Sequence, residues 1–240
     1  MAGLPSVFIR LAGCPLRCRW CDTKYAWDES AGQNYGIAEI VETIQKWPCR
    51  FVVITGGEPM TNPDLPQLAQ ALKVAGKHIT IETAGIMFVP DLPCDLMSIS
   101  PKLSNSTPSI EDRSQKHALS VAEGTEIKSL APTPVVGAGS PENGRQKFLR
   151  SDIDVLRKLI DNYNYQLKFV VDSEDDLVEI HQTIKQVGNV DLEKVMLMPQ
   201  AATRNELLAK SPMVAELCKY TGFMLCNRLQ VLLWNNERGT

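Results

Sequence analysis

The chain has 240 residues, is 44% hydrophobic and 22% charged, and carries a formal net charge of -3. That size suits one large globular unit or two small ones, and so mild an acidity sets up no field that would draw nucleic acid. No apolar run reaches membrane-spanning length, and no basic segment followed by an apolar stretch marks a secretory leader, so neither membrane nor nucleic acid is an expected partner and the cytoplasm is the expected location.

Taken in order, Val7–Leu11 is an apolar run broken by one charge, Arg10, and reads as a strand. A loop rich in Gly, Asp, Lys and aromatics follows from Cys14 to about Gly36. Ile37, Ile40, Val41 and Ile44 recur at helical spacing, and Trp47-Pro48 closes that helix. Phe51–Thr55 is a strand that runs into Gly56-Gly57-Glu58-Pro59. Leu65, Leu68 and Leu72 mark a helix that stops near Gly76. His78–Glu82 and Leu96–Ser100 are further strands, followed by Thr83-Ala84-Gly85 and Pro101-Lys102. From about 103 to 147 the chain is dense in Ser, Pro, Gly and charge, and it reads as a mobile surface insertion. Ile153, Leu156 and Ile160 resume the helical period, and Gln166–Val171 is a strand. Ser173 to Asp176 resembles a capping box opening a helix that ends at Gly188. Val195–Met198 is a strand, Thr203 to Glu206 is a full capping box, and Arg228–Leu233 reads as a last strand. Strands alternating with helices predict a parallel α/β sheet with crossover helices. In such sheets ligands bind beyond the carboxyl ends of the strands, where these unusual tripeptides fall.

Cys14, Cys18 and Cys21 stand in a C-x3-C-x2-C spacing directly after the first strand. A four-iron cluster normally takes four cysteine ligands, so a loop that offers three leaves one iron free to bind a small molecule. The alternative is a structural zinc site in a non-catalytic binding module. Zinc would require a fourth ligand, and His78, His117 and His181 are isolated. The other four of the seven cysteines are scattered, which argues against a disulfide framework. After the second strand, Gly56 and Gly57 would let a ligand approach the backbone and leave amide donors facing it, while Glu58 could accept from an ammonium group. Arg10, charged within an apolar strand, calls for an anionic partner, and a carboxylate suits its fork. Glu82 and Lys168 could either pair with each other or line the site.

The cysteine triad followed by Thr55-Gly-Gly-Glu-Pro59 resembles the radical S-adenosylmethionine (radical SAM) superfamily. Together with Pro5–Cys14, Trp20-Cys-Asp-Thr23, Trp27-Asp28, Glu82–Gly85, Ser100-Pro-Lys102, Leu167–Val171 and Arg228–Trp234, it is similar to the 7-carboxy-7-deazaguanine synthases. The resemblance implies an incomplete (β/α) barrel of about six parallel strands, with residues 1–240 as one domain and the insertion at about 103–147. It implies a [4Fe-4S] cluster, SAM and Mg2+ as cofactors. The implied reaction is that of a carbon–nitrogen lyase: ring contraction of 6-carboxy-5,6,7,8-tetrahydropterin to 7-carboxy-7-deazaguanine with loss of ammonia, in queuosine and 7-deazapurine biosynthesis. The other enzyme reading is an activase that makes a glycyl radical on a partner protein. An electron donor such as a flavodoxin and a homodimeric state are also implied.

By the same resemblance, Cys14, Cys18 and Cys21 would ligate the cluster and Thr23 would contact magnesium. Trp20, Cys21, Asp22, Gly57, Ser100, Pro101, Lys102, Met198, Pro199, Gln200 and Ala201 would lie against SAM. Arg10, Thr55 and the carboxylate of Thr240 would hold the substrate. The family's Gln-Gly-Glu-Gly segment ahead of the first strand is not found in Met1–Pro5, and Gln230 stands where the family often has a histidine. Both differences bear on substrate affinity more than on cluster binding.

Overall fold

The computed structural model describes residues 3–108, 127–128, 152–235 and 237. Its main sheet has seven parallel strands: β1 (Ser6–Leu11), β2 (Phe51–Gly56), β3 (His78–Thr83), β4 (Leu96–Ile99), β5 (Tyr165–Val171), β6 (Val195–Pro199) and β7 (Met224–Leu225). Each strand lies beside its predecessor in the chain, and the sheet stays open between β1 and β7. This is the order of a (β/α) barrel halted before closure, as expected, with one strand more than the anticipated six.

Parallel neighbours require crossovers, and helices supply most of them. They are α1 (Ile37–Gln45), α2 (Leu65–Val74), α3 (Ile153–Asn162), α4 (Asp176–Val187) and α5 (Arg204–Thr221), with α6 (Leu229–Trp234) after β7. The β3–β4 connection has no helix. It is pinned instead by Tyr163, whose hydroxyl donates to the Val89 carbonyl at 2.6 Å and accepts from the Leu92 amide at 3.0 Å. No helix among the described residues is long and apolar enough to cross a membrane.

Alternation along the strands separates two faces. Ile9, Val52, Ile54, Ile79, Ile81, Met97, Ile99, Leu167, Phe169 and Leu197 pack with Ile40, Ile44, Leu68, Leu72, Leu156, Leu159, Ile180 and Val214 of the helices in one core. Burying each large apolar side chain contributes about 1.5–3 kcal/mol, so this layer is the main source of stability. The opposite face is polar. Register pairs Arg10 with Thr55, Glu82 with Ser98 and Ser98 with Gln166. Lys168 lies beside Met196 on that same face.

One expectation is corrected. Arg228–Leu233 is not a strand: residues 229–234 form α6, and the seventh strand is the two-residue β7. Leu-Gln-Val-Leu-Leu-Trp holds one β-branched residue, and leucine is a good helix former. Helix geometry seats Val231 and Leu232 against Ala201 and Leu207. Arg204 then satisfies the final turn, donating to the carbonyls of Leu232 and Leu233 at 2.7 Å each. The first residues of the stretch read as an insertion are described. Leu103 and Ser106 are buried, and Ser104–Ser106 forms a 3-10 turn whose Ser104 amide donates to Glu179 at 3.0 Å. Of the rest, Ile127–Lys128 pairs with Gln33–Asn34, while 109–126 and 129–147 lie outside the described residues.

Candidate active site

The cysteine loop leaves β1 at the carboxyl rim of the sheet. Gly13 and Cys14 donate backbone hydrogen bonds to Ala26 and Trp27 at 2.9 and 3.0 Å. Arg17, with φ 54°, folds its guanidinium back to donate to the carbonyls of Cys14 and Trp27. Hydrogen bonds within the protein thus fix the path of the loop. Its thiols sit in an apolar lining of Leu16, Ala84 and Ile86, the last two from the segment after β3. Burial pushes the Cys14 thiol up to about 11 and raises that of Cys21 as well. Such a lining favours neutral thiols, and a bound metal centre is what makes thiolates stable there. Among the described residues, no three Cys, His, Asp or Glu side chains converge on a point as the ligands of one ion would. Ligands of a multi-iron cluster bind separate irons and need not converge. Three cysteines on one loop in an apolar lining match three corners of a cluster whose fourth iron takes a small molecule.

The Gly-Gly-Glu turn does something other than what its sequence suggested. The Gly57 amide donates to the Leu11 carbonyl and the Glu58 amide to that of Gly13, both at 2.8 Å. These donors hold the cysteine loop and do not face a ligand. Glu58 is buried, and its carboxylate accepts from the Thr83 hydroxyl at 2.7 Å, the Ala84 amide at 2.7 Å and the Met60 amide at 3.1 Å. Burial raises its pKa against those donors. The side chain is a strut between the β2 and β3 loops, with its lone pairs committed inside the protein.

Below this rim lies the charged inner face. Lys168 donates to Glu82 at 3.1 Å. The Lys168 ammonium, aided by the Thr55 hydroxyl, holds Glu82 below the usual carboxylate range despite burial. Burial acts to lower Lys168, but Glu82 outweighs it and the amine stays above its ordinary value. Arg10 forms no ion pair among the described residues. It donates to the Gly56 carbonyl at 3.4 Å and lies 5.9 Å from the Tyr25 ring, within the field of both Asp22 and Glu82. Gln166 donates to Ser98 at 2.8 Å.

The remaining described sequence candidates fall at or after the carboxyl ends of β1, β4 and β6. Lys102 turns back to the Ser100 carbonyl and hydroxyl at 2.6 and 3.0 Å, next to buried Pro101. Burial lowers its pKa, while Cys18 and Glu58 pull it back up. Trp20 donates its indole N–H to Asn105 at 3.1 Å. Met198 and Pro199 end β6 beside Val170 and Val171. Gln200 accepts from Lys210 at 2.8 Å, and Ala201 is buried. Thr23 donates its hydroxyl to Asp22 at 2.7 Å. Burial would raise the Asp22 carboxyl, but Arg228 and Thr23, with Arg10 farther off, hold it low. Thr240 lies outside the described residues. Sequence reasoning missed Arg228, read as the start of a strand, and Asn105, placed within the insertion. No local pattern marks either residue.

Comparison with known proteins agrees with this arrangement. A family model described as the radical SAM superfamily matches residues 8–107, from within β1 through the 3-10 turn at Ser104–Ser106. The 7-carboxy-7-deazaguanine synthase of Rhodopirellula baltica is 35% identical over 241 residues, covering 100% of this chain and 83% of its own. That of Halobacterium salinarum is 35% identical over 246 residues, covering 100% and 87%. Among solved structures, the crystal structure of QueE from Escherichia coli covers 94% of this chain and 86% of its own, with TM-score 0.61 at 22% identity, a likeness of fold. Streptococcus suis SuiB shares the fold more distantly, with TM-score 0.57 at 12% identity over 94% of this chain and 49% of its own. A cysteine loop tied to a Gly-Gly-Glu turn at the rim of an open parallel barrel, in a sequence that aligns over its whole length with these synthases, makes the chain a member of the 7-carboxy-7-deazaguanine synthase family within the radical SAM superfamily.

Proposed function

We propose that the chain converts 6-carboxy-5,6,7,8-tetrahydropterin to 7-carboxy-7-deazaguanine with loss of ammonia, as a radical SAM lyase of queuosine and 7-deazapurine biosynthesis. The observation that carries this is the position of the cysteine loop, at the rim directly above an inner face holding Arg10, Glu82 and Lys168. Cys14, Cys18 and Cys21 would hold a [4Fe-4S] cluster. Bound there together with SAM, that group would supply the one-electron chemistry for hydrogen-atom abstraction.

The protein's own work is binding, orientation and charge. Arg10 takes the substrate carboxylate, a planar anion that suits its fork. Thr55 holds the pterin. Lys168 Nζ keeps its proton under the influence of Glu82, so it presents a fixed cation on the inner face and is no base at neutral pH. Trp20, Cys21, Asp22, Gly57, Ser100, Pro101, Lys102 and Met198 through Ala201 form the SAM site. Thr23 offers hydroxyl oxygen to Mg2+, which prefers oxygen ligands and keeps water and substrate oxygens in its shell. One domain spans 1–240 and acts in the cytoplasm as a homodimer, with a flavodoxin-type electron donor.

Anaerobic reconstitution with reductant, SAM, Mg2+ and carboxytetrahydropterin tests the reading. Deazaguanine product is expected from the wild type and none from Cys18→Ala. Thr23→Ala should weaken the response to magnesium. SAM cleavage without ring contraction would overturn the assigned substrate in favour of an activase, and zinc in place of iron and sulfide would overturn the cluster.

A further inference from the structure

One guanidinium beside the site has no part in the reading above. Arg228 stands at the start of α6, and its side chain is 13% exposed. Nη2 donates to the Asp22 carboxylate and Nη1 to the Ala201 carbonyl. These acceptors belong to two different segments. Asp22 follows the cysteine loop of β1, and Ala201 follows β6, on the far side of the sheet's open gap. The sheet's own ladder does not cross that gap, because β1 and β7 are unpaired edges.

Another ion pair runs from the cysteine loop to the end of β5, Arg19 with Asp172 at 3.2 Å. Its Arg19 side chain is 50% exposed, which leaves it weakened by solvent. Arg228 is better shielded and bidentate across two acceptors. A lysine ammonium cannot hold two acceptors in one plane as a guanidinium does.

A second link extends the first. The free side of the Asp22 carboxylate, Oδ1, accepts the Thr23 hydroxyl at 2.7 Å. A hydroxyl whose proton points to a carboxylate turns its lone pairs elsewhere, where they can meet a cation. The order is therefore Arg228, Asp22, Thr23.

We propose that Arg228 is a positioning residue that joins the two SAM-holding segments across the open side of the barrel and, through Asp22, aims the Thr23 oxygen at magnesium. This rests on the site reading above and adds a residue to it.

The test uses Arg228→Met, Arg228→Lys, Asp22→Asn and the Arg228→Met/Asp22→Asn double variant, each in the full chain. In protein without cluster, amide hydrogen exchange at Asp22 and Thr23 should speed up in Arg228→Met while the melting temperature stays within a few degrees. In cluster-loaded, unreduced enzyme, the SAM dissociation constant from equilibrium dialysis should rise about tenfold in Arg228→Met, the scale of one coupled contact, and by less in Arg228→Lys. The magnesium concentration for half-maximal rate should rise in step, with kcat at saturation kept. The double variant should be no worse than the more affected single variant. Unchanged SAM and magnesium requirements, or fully additive effects, would overturn the proposal and leave Arg228 a strut for α6. Wild-type turnover of the pterin reports on the parent reading alone, while exchange and SAM affinity report on Arg228 without it.

Discussion

Gly57 has no room for a methyl group. A Cβ there would stand 2.1 Å from the Gly13 carbonyl oxygen and 2.7 Å from that of Ala26, both backbone atoms of the cysteine loop. Gly57→Ala should therefore displace the loop, lowering stability in denaturant melts by about 1–3 kcal/mol and reducing iron incorporation. Glu58 makes a complementary case. Its two carboxylate oxygens accept from three donors, and a glutamine has one acceptor oxygen to offer them. Glu58→Gln turns an NH2 group against an N–H or O–H and should cost about 1–3 kcal/mol, read as a fall in melting temperature. The sequence marked both residues as special, because two glycines after a strand demand close approach. It could not say what approaches. The neighbour is the protein's own loop, brought in from a strand that local spacing does not identify.

At the level of elements, the legible features were the local ones. Thr203 and Glu206 form a reciprocal capping box, with the Thr203 side chain accepting from the Glu206 amide at 3.3 Å and Glu206 accepting from the Thr203 amide at 3.0 Å. Asp152 caps α3 by accepting from Asp154 and Val155 at 3.0 and 3.2 Å. Replacing either cap by alanine should lower stability by about 1 kcal/mol, measured by thermal melts, with catalysis unaffected. The box expected at Ser173 exists only in part. Asp176 reaches back to the amides of Asp172 and Ser173 at 2.7 and 3.1 Å, and no side chain caps the helix at Asp175. The strand expected at Arg228–Leu233 failed for a longer-range reason. Its six residues suit either structure, and the decision lies with Arg204 and Leu207 in another helix. β7, with two residues, is too short to carry any period.

Across the whole molecule, the Glu82–Lys168 pair ties β3 to β5 over the intervening β4, and it should set a pH window. Glu82 is depressed, so its contribution is present above its ordinary pKa and is lost as pH falls through the lower folded value. Lys168 is raised, so its contribution is present below its ordinary pKa and is lost as pH rises through the higher folded value. The stability gap between wild type and Lys168→Met should therefore shrink at both extremes, and a gap that stays constant from about pH 3 to pH 11 would contradict the pairing. The contact between Asp22 and Arg228 has a consequence of another kind, in the order of events during synthesis. It spans 206 positions of sequence. Loop-closure entropy grows only slowly with such length, but the contact cannot form until residue 228 has left the ribosome. Asp22, beside the cysteines, is made long before Arg228, so the surroundings of the loop are completed late relative to the loop itself. A nascent chain therefore carries its cysteine loop without the Arg228 tie while the 206 positions between the two residues are made.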